Sequence, residues 1–368
     1  KSNFNLCINI DELKKDNLIT ENIQFSAMST PVLDNENNSD IEDEELKTLY
    51  IDKFNQFCRE DDCLACRYKK ILTTDDITVI HITNEYKYYK VDNKGLNILN
   101  LDSYSTNNEL KIEIANGCNV VNGSANYKIE HRGGGLIMLS EEGSFNNQVN
   151  FYGGHIYVNS KGGIDRIHDM SNNDSLSNNL VARLGPDNDE VVLFGGSLAY
   201  IYGEEGDDNF IVYTGKHNIL FGGDDDDTFL VHGGDSNIIF GEDGDDTFIV
   251  YDGDNNMIYG EDGYDSFYIS NGYNFIDDTN GDDIFYIYNG YNVIDDTYGD
   301  DIFYIFGGYN TILDVYGDDS FHIFGGYNTI RDFSGEDTFI SNEGYTTITG
   351  YSDLDTVIHN NGYLAITD

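Results

Sequence analysis

Apolar residues in the second half of the chain recur at a fixed step rather than in continuous runs. One column begins at Val191 and Phe210, which are 19 residues apart. It continues, first at a step of 19 and then of 18, through Phe229, Phe248, Phe267, Phe285, Phe303, Phe321, Phe339 and Val357. A second column follows within each repeat and contains Leu220, Ile239, Ile258, Ile276, Ile294, Ile312 and Ile330. The pattern predicts a repeating unit of turn, strand, turn and strand.

A unit this short cannot bury its own apolar side chains, but stacked units bury them continuously. We therefore predict a mostly β protein in which residues 185–368 form a right-handed parallel β-roll, or β-solenoid, with coils of 18 to 19 residues. With neighbouring strands ~4.8 Å apart, ten coils would form a rod on the order of 45 Å long.

The first half of the chain lacks this regularity, and we divide it into two further regions. Residues 95–184 contain alternating stretches typical of irregular strands or degenerate solenoid coils. Residues 1–94 are predicted to be a small α+β segment with one helix at about 39–57, where Ser39 and Glu42 form a capping box.

The charge of the chain restricts its partners. With 67 Asp and Glu against 20 Lys and Arg, the formal net charge is −47. Nucleic acids and anionic membrane surfaces are therefore poor partners, whereas cations are natural ones. No apolar run reaches the ~18 residues of a transmembrane segment. The chain begins with Lys1 and not with Met, so we expect it to be part of a longer parent chain.

Aspartate occupies the position two residues before each apolar residue of the first column. These column aspartates are Asp189, Asp208, Asp227, Asp246, Asp265, Asp283, Asp301, Asp319 and Asp337, and Asp355 extends the series. In stacked coils each would lie ~5 Å from the next, where bare carboxylates repel by about 0.9 kcal/mol even in bulk water. A hard cation such as Ca²⁺ removes this repulsion, since it accepts six to eight oxygen ligands. The alternative is that these residues are solvated turn formers.

The aspartate-bearing turns resemble the nonapeptide GGxGxDxUx of the RTX (repeats-in-toxin) proteins. In 241–249, Gly241, Gly244, Asp246 and Phe248 match motif positions one, four, six and eight, and only Glu242 departs, at position two. The resemblance covers about 185–366. It implies several Ca²⁺ ions held between adjacent turns and calcium-driven folding after type I export. The glycines assigned to these sites, beside the column aspartates, are Gly203, Gly206, Gly222, Gly241, Gly244, Gly260 and Gly263.

The later turns depart further from the motif. Their first glycine is replaced by Asp278, Asp296, Asp314 and Asp332, and their second by Thr279, Thr297, Val315 and Phe333. Losing glycine calls for a different turn conformation, yet extra carboxylates make a cation more necessary. We expect calcium in these turns as well.

The opposite side of each repeat carries Asn instead of Asp, so stacked amides are expected there in place of a row of calcium ions. From position 273 onward a tyrosine ladder appears at a step of 18: Tyr273, Tyr291, Tyr309, Tyr327, Tyr345 and Tyr363. It is a candidate platform for a sugar or a protein partner. The alternative is that the rings stack only on one another and hold the register of the coils.

Candidate chemistry outside the repeats is sparse. Cys58, Cys63 and Cys66 have the first spacings of plant-type iron–sulfur loops, but acidic residues lie between them, which favours a local disulfide or free thiols. Neither an HExxH zinc motif nor a GxSxG elbow is present. We therefore expect a protein that is not an enzyme.

Together with the resemblance, these features predict a secreted, extracellular protein. The leading hypothesis is a non-catalytic, calcium-dependent C-terminal module of a larger bacterial toxin, which folds after export and binds a host cell-surface protein or glycan. A calcium-stabilised adhesin or surface-matrix repeat protein is the first alternative. A secreted enzyme with an active site in the N-terminal half is the weaker one.

Overall fold

In the computed structural model of the chain, the described residues are 77–82, 88–92, 96–101, 110–115, 117–122, 126–132, 135–139, 146–160, 162–170, 179–195, 198–352 and 354–367. Every regular element among them is a β-strand, and within these ranges no helix could cross a membrane. The chain divides into two units, Lys1–Leu184 and Gly185–Asp368. The predicted helix at about 39–57 and Cys58, Cys63 and Cys66 lie outside the described residues.

The strands of the second unit alternate between two parallel sheets. The first sheet contains β13 (Ala199–Glu205), β15 (Ile219–Asp224), β17 (Ile238–Asp243), β19 (Asp254–Asp262), β21 (Tyr273–Asp277), β23 (Tyr291–Asp295), β25 (Tyr309–Leu313), β27 (Tyr327–Arg331), β29 (Tyr345–Thr349) and β31 (Tyr363–Thr367). The second contains β12 (Glu190–Leu193), β14 (Asn209–Val212), β16 (Thr228–Val231), β18 (Thr247–Val250), β20 (Ser266–Ile269), β22 (Ile284–Ile287), β24 (Ile302–Ile305), β26 (Ser320–Ile323), β28 (Thr338–Ser341) and β30 (Thr356–His359).

The register of these strands follows the sequence repeat. Phe229 pairs with Phe248, and Phe285 pairs with Phe303, so each column residue lies beside the next member of its column. Each strand thus hydrogen-bonds to the equivalent strand of the next coil. The predicted parallel β-solenoid, with one coil for each sequence repeat, is confirmed.

The two apolar columns form the interior of this solenoid. Phe229, Phe248 and Phe303 are at most 1 % exposed, and the Phe rings of successive coils stack with their centroids 4.6 to 5.2 Å apart. The Ile residues of the second column, such as Ile258 and Ile294, are fully buried. Because the strand period is two, the side chains between them point outward.

The buried asparagines form the predicted amide ladder. Asn218 Nδ2 donates to Asn237 Oδ1 at 2.9 Å, and Asn292 Nδ2 donates to Asn310 Oδ1 at the same distance. Asn310 in turn donates to Asn328 Oδ1 at 2.8 Å. The interior edge opposite the aspartates is therefore neutral and satisfied by hydrogen bonds.

The first unit is also built of parallel strands, but its coils differ in length. The strands of one sheet are β1 (Ile77–His81), β3 (Leu96–Asn100), β5 (Cys118–Asn122), β7 (Gly135–Leu139), β9 (His155–Asn159) and β11 (Asn179–Arg183). Those of the other are β2 (Tyr88–Val91), β4 (Leu110–Ile114), β6 (Tyr127–His131), β8 (Asn147–Phe151) and β10 (Arg166–Asp169). In the first of these sheets Leu96 pairs with Cys118, Cys118 with Gly135, and Gly135 with His155, so the step along the chain changes from coil to coil. The expected irregular β region is confirmed within the described part of 95–184.

Candidate metal sites

The first four turns with a buried column aspartate and glycine at motif position one follow one another along the chain, and we call them the glycine turns: 203–208, 222–227, 241–246 and 260–265. Each ends in a column aspartate that is 1 to 3 % exposed. One oxygen of that carboxylate is satisfied, because Asp227 Oδ1 accepts the backbone N–H of Asp208 at 2.7 Å and Asp246 Oδ1 accepts that of Asp227 at 2.7 Å. The other oxygen, Oδ2, is buried and has no hydrogen-bond donor.

In the first three of these turns, the unsatisfied oxygen faces a backbone carbonyl of the next coil. A Cβ added at Gly222 would lie 2.0 Å from Asp227 Oδ2 and 2.7 Å from the Gly241 carbonyl oxygen. Glycine is therefore required at position one of this turn, and its missing side chain lets a carboxylate and a carbonyl oxygen converge. Carboxylate and carbonyl oxygens are the ligands that Ca²⁺ uses.

The backbone of the glycine turns is left-handed at motif positions two and four. Glu242 and Glu261 at position two have φ of 80° and 81°, and Gly244 and Gly263 at position four have φ of 152° and 159°. A left-handed conformation costs a side-chain-bearing residue roughly 1–2 kcal/mol. The glutamate that departs from the motif thus adopts the conformation that glycine would take.

Burial makes the ionised form of these carboxyl groups unfavourable. Loss of solvent raises the pKa of Asp227 to about 9, and that of both Asp208 and Asp246 to about 7, although in each case a backbone N–H bond lowers it in part. For Asp265 the same cause raises the pKa to about 8. Their negative charge therefore calls for a counter-charge or a proton inside the fold.

Four later turns carry aspartate at position one, and we call them the aspartate turns: 278–283, 296–301, 314–319 and 332–337. Their position-one residues, which we call the second aspartates, are Asp278, Asp296, Asp314 and Asp332, and all are at most 3 % exposed. Asp278 Oδ1 accepts the backbone N–H of Thr279 at 2.7 Å. Both carboxylate oxygens of Asp296 and of Asp314 are buried without a hydrogen-bond donor.

Each second aspartate meets two column aspartates from consecutive coils. The four resulting triads are Asp265, Asp278 and Asp283; Asp283, Asp296 and Asp301; Asp301, Asp314 and Asp319; and Asp319, Asp332 and Asp337. Within a triad, one oxygen from each residue lies within 4.8 Å of the other two. Two oxygens bound to one Ca²⁺ ion at ~2.4 Å can be at most about 4.8 Å apart, so three such oxygens can share an ion. These groups could hold metal ions.

The aspartate turns reach this arrangement with a different backbone. Thr279 and Thr297 at position two do not adopt a left-handed φ. Beta-branched residues avoid the left-handed conformation. Gly281 keeps position four although its φ is not left-handed, because a Cβ there would lie 1.8 Å from the Gly263 carbonyl oxygen, the same close approach that Gly263 makes to Gly244. Losing the first two glycines therefore changes the turn but leaves the column aspartates in place.

The carboxyl groups of the aspartate turns are more strongly perturbed. Burial first, and the neighbouring carboxylates second, raise the pKa of Asp278, Asp296 and Asp314 well above the usual range. Burial also raises the pKa of Asp283 and Asp301. Two like charges this close cannot both stay ionised in the interior without a cation.

The structure places every column aspartate from Asp189 to Asp337 inside the solenoid, at 0 to 3 % exposure. The assigned glycines lie in the same turns. The second aspartates were not assigned as site residues from the sequence, although a signal was present. Asn274, Ile276 and Asp278 are two residues apart along one strand and its end, and they alternate with more exposed neighbours. This period of two points Asp278 into the interior.

The tyrosine ladder is exposed, at 48 to 56 % of each side chain. From Tyr273 to Tyr345 the rings stack with centroids 4.7 to 5.0 Å apart and planes within 6° of parallel. The ring faces therefore cover one another, and solvent meets ring edges and hydroxyls. The rings line an open groove of about 820 Å³ that has no charged residue among its lining side chains, which include Phe275, Val293 and Thr311.

Comparisons with protein-family models, with curated proteins and with solved structures found no match.

Proposed function

We propose that residues 185–368 are a calcium-dependent folding module, in which Ca²⁺ bound between the aspartate-bearing turns stabilises the folded solenoid. The observation that carries the proposal is the row of buried carboxylate oxygens, from Asp208 to Asp332, that have no hydrogen-bond donor. Burying an ionised carboxylate without a partner costs several kcal/mol. A row of them at the spacing of β-strands adds repulsion between neighbours.

Calcium suits these sites better than other common ions. The donor sets consist of carboxylate and backbone carbonyl oxygens, without His or Cys among the triads. Zinc prefers nitrogen and sulfur ligands, and Mg²⁺ requires shorter bonds in near-ideal octahedral geometry. Calcium accepts irregular oxygen cages, and its binding free energy becomes folding free energy when the unfolded chain has no site.

The folding of such a module depends on the calcium concentration around it. Where calcium is scarce and the carboxyl groups are ionised, the repeats remain unfolded, and where calcium is abundant, mass action drives them to fold. The resemblance to RTX proteins supports placing this switch in a secreted, extracellular protein. On the same resemblance we propose the C-terminal module of a larger toxin as its setting, with no catalytic role.

A calcium titration of the full chain, followed by far-ultraviolet circular dichroism at pH 8, tests the proposal. We expect a cooperative gain of β signal, and we expect Asp227→Asn to shift the midpoint to higher calcium. Asp226→Asn is the matched control, because Asp226 is exposed in the same turn and its Oδ1 only accepts the backbone N–H of Asp245. A full β signal in metal-free buffer that calcium does not change would refute the proposal.

An adhesive role for the rod surface is the second candidate, and the uncharged tyrosine groove favours it. With the ring faces covered, a partner would meet ring edges and hydroxyls, which suit a neutral ligand rich in hydroxyl groups. Cell-binding and glycan-binding measurements would compare a double variant, Tyr309→Ala with Tyr327→Ala, with Tyr298→Ala and Tyr316→Ala. The latter pair is equally exposed and stacked at 5.1 Å but lies on the aspartate turns. Equal binding by both double variants would leave the tyrosine ladder with a purely structural role.

A further inference from the structure

The aspartate turns differ from the glycine turns in how their carboxylates are shared. Asp283, Asp301 and Asp319 each belong to two consecutive triads, whereas Asp278, Asp296 and Asp314 each belong to one. The four triads therefore follow one another without a gap from Asp265 to Asp337. Any cation in one triad shares a ligand residue with the cation in the next.

The number of buried carboxylates in each coil also distinguishes the aspartate turns from the glycine turns. An aspartate turn contributes two buried carboxylates, such as Asp296 and Asp301, whereas a glycine turn contributes one, such as Asp246. One divalent cation in every coil would balance the buried charge of the aspartate turns. In the first three glycine turns, one carboxylate and a backbone carbonyl converge instead.

The carboxylates of the second aspartates also belong to the triads, and two of the four accept no hydrogen bond. Asp296 and Asp314 are fully buried, and none of their four carboxylate oxygens has a hydrogen-bond donor. A Cβ added at Gly260 would lie 2.3 Å from Asp265 Oδ2 and 2.4 Å from Asp278 Oδ2, so the second aspartate reaches the space left open by the glycine one coil earlier. Buried polar groups of this kind are normally satisfied by a partner or an ion.

We propose that the aspartate turns hold an uninterrupted line of four divalent cations of calcium size, one in each triad, bridged by the shared column aspartates. This inference rests on the proposed calcium-dependent folding and adds a class of site in which an aspartate at position one, in place of the motif glycine, supplies a ligand. Its ligands are carboxylates from two coils, so each ion joins a coil to the next.

Ligand sharing gives the proposal a numerical test. The full chain is saturated with Ca²⁺ at pH 8, and bound ions are counted by native mass spectrometry and by metal analysis after dialysis. Asp296→Asn removes a ligand from one triad and is expected to lower the count by one. Asp301→Asn removes a ligand from two triads and is expected to lower it by two. Asp300→Asn is the matched control and is expected to leave the count unchanged, because Asp300 is exposed in the same turn.

Two results would overturn the line of ions. One is an unchanged count in Asp296→Asn, and the other is an equal loss in Asp296→Asn and Asp301→Asn. If a variant loses its β signal, Asp314→Asn gives a second reading, because Asp314 belongs to a single triad and is also expected to remove one ion. Loss of β signal in both single-triad variants at saturating calcium would also count against the proposal, because the remaining ions should hold the coils.

The failure of this inference can be told from that of the proposed function. If calcium folds the chain and Asp227→Asn lowers the ion count while Asp296→Asn does not, the glycine turns bind calcium and only the line of ions is wrong. If calcium leaves the β signal of the full chain unchanged, the proposed function itself is wrong.

Discussion

The glycine turns and the aspartate turns share one interior but reach it by different backbones. Phe248 and Phe303 are equally buried, and each column aspartate donates its backbone N–H to the carboxylate of the next coil in both sets. The glycine turns leave space for a carbonyl oxygen and accept left-handed residues such as Glu242. The aspartate turns fill that space with a second carboxylate and avoid left-handed residues at position two. The cross-section of the coil thus tolerates two turn conformations, provided that oxygen atoms gather at the same place.

The change between the two sets coincides with a change in the opposite turn. The step between equivalent residues falls from 19 to 18 after Phe267, and β19 pairs with β21 with a register shift between Asp254 and Asn256. One residue is lost on the asparagine side, where Gly272 and Tyr273 begin the tyrosine ladder. The aspartate side keeps its spacing, which is why the column aspartates stay in phase.

The largest expected effect is that of pH on the metal-free chain. Burial raises the pKa of Asp208 and Asp246 to about 7 and that of Asp227 to about 9, from 3.8. A raised pKa in the folded state contributes stability that is fully present below about pH 4 and is lost as the pH rises through 7 to 9. Urea unfolding of metal-free protein should therefore show high stability at pH 5 and little or none at pH 9.

Saturating calcium should remove this loss, because it binds the ionised carboxylates and competes with protons. Equal stability of the metal-free chain at pH 5 and pH 9 would contradict the effect ascribed to the buried carboxylates. Hydrogen exchange of peptides from the two sets of turns would show whether both respond. A response confined to one set would mean that the carboxylates of the two sets of turns do not affect stability in the same way.

The next effect tests the shared interior. Phe229→Ala in the glycine-turn region and Phe303→Ala in the aspartate-turn region each remove a fully buried ring that stacks on a ring above and one below. Each is expected to lower the free energy of unfolding by about 3–5 kcal/mol in saturating calcium. Denaturant unfolding of the two variants should give losses within about 1 kcal/mol of each other. A much smaller loss for one of them would mean that the two regions are packed differently.

The smallest effect, and the one most specific to the turns, comes from adding glycine at position two. Glu242→Gly relieves a left-handed glutamate, so it should stabilise the calcium-bound chain by up to roughly 1 kcal/mol. Thr297→Gly replaces a residue with ordinary φ, so it should destabilise by roughly 0.5–1 kcal/mol through chain entropy. Thermal unfolding would measure the two shifts. Shifts of the same sign would contradict the difference in backbone described for the two turns.

Much of the fold could be predicted from the sequence because each repeat has the same pattern of apolar and polar positions. The apolar columns set the interior, and the Asp and Asn columns set its two edges. The second aspartates were harder to assign, because the replacement of a motif glycine indicates a changed turn conformation and not an added ligand. Whether Asp278 points inward depends on how far the strand period continues past Asp277, and this is decided by the backbone of the turn. The left-handed conformation of Glu242 likewise follows from stacking on its neighbours, against its own preference.

Hydrogen–deuterium exchange of the full chain at pH 8, with calcium and without metal, tests most directly whether the solenoid needs a cation to fold. We expect peptides from 203–265 and 278–337 to be protected in calcium and to exchange rapidly without it. Peptides from 127–159 are the internal control, because those strands lack the column aspartates, and their protection should change less. Equal protection of both sets of turns with and without calcium would contradict the claim that the solenoid needs a cation to fold.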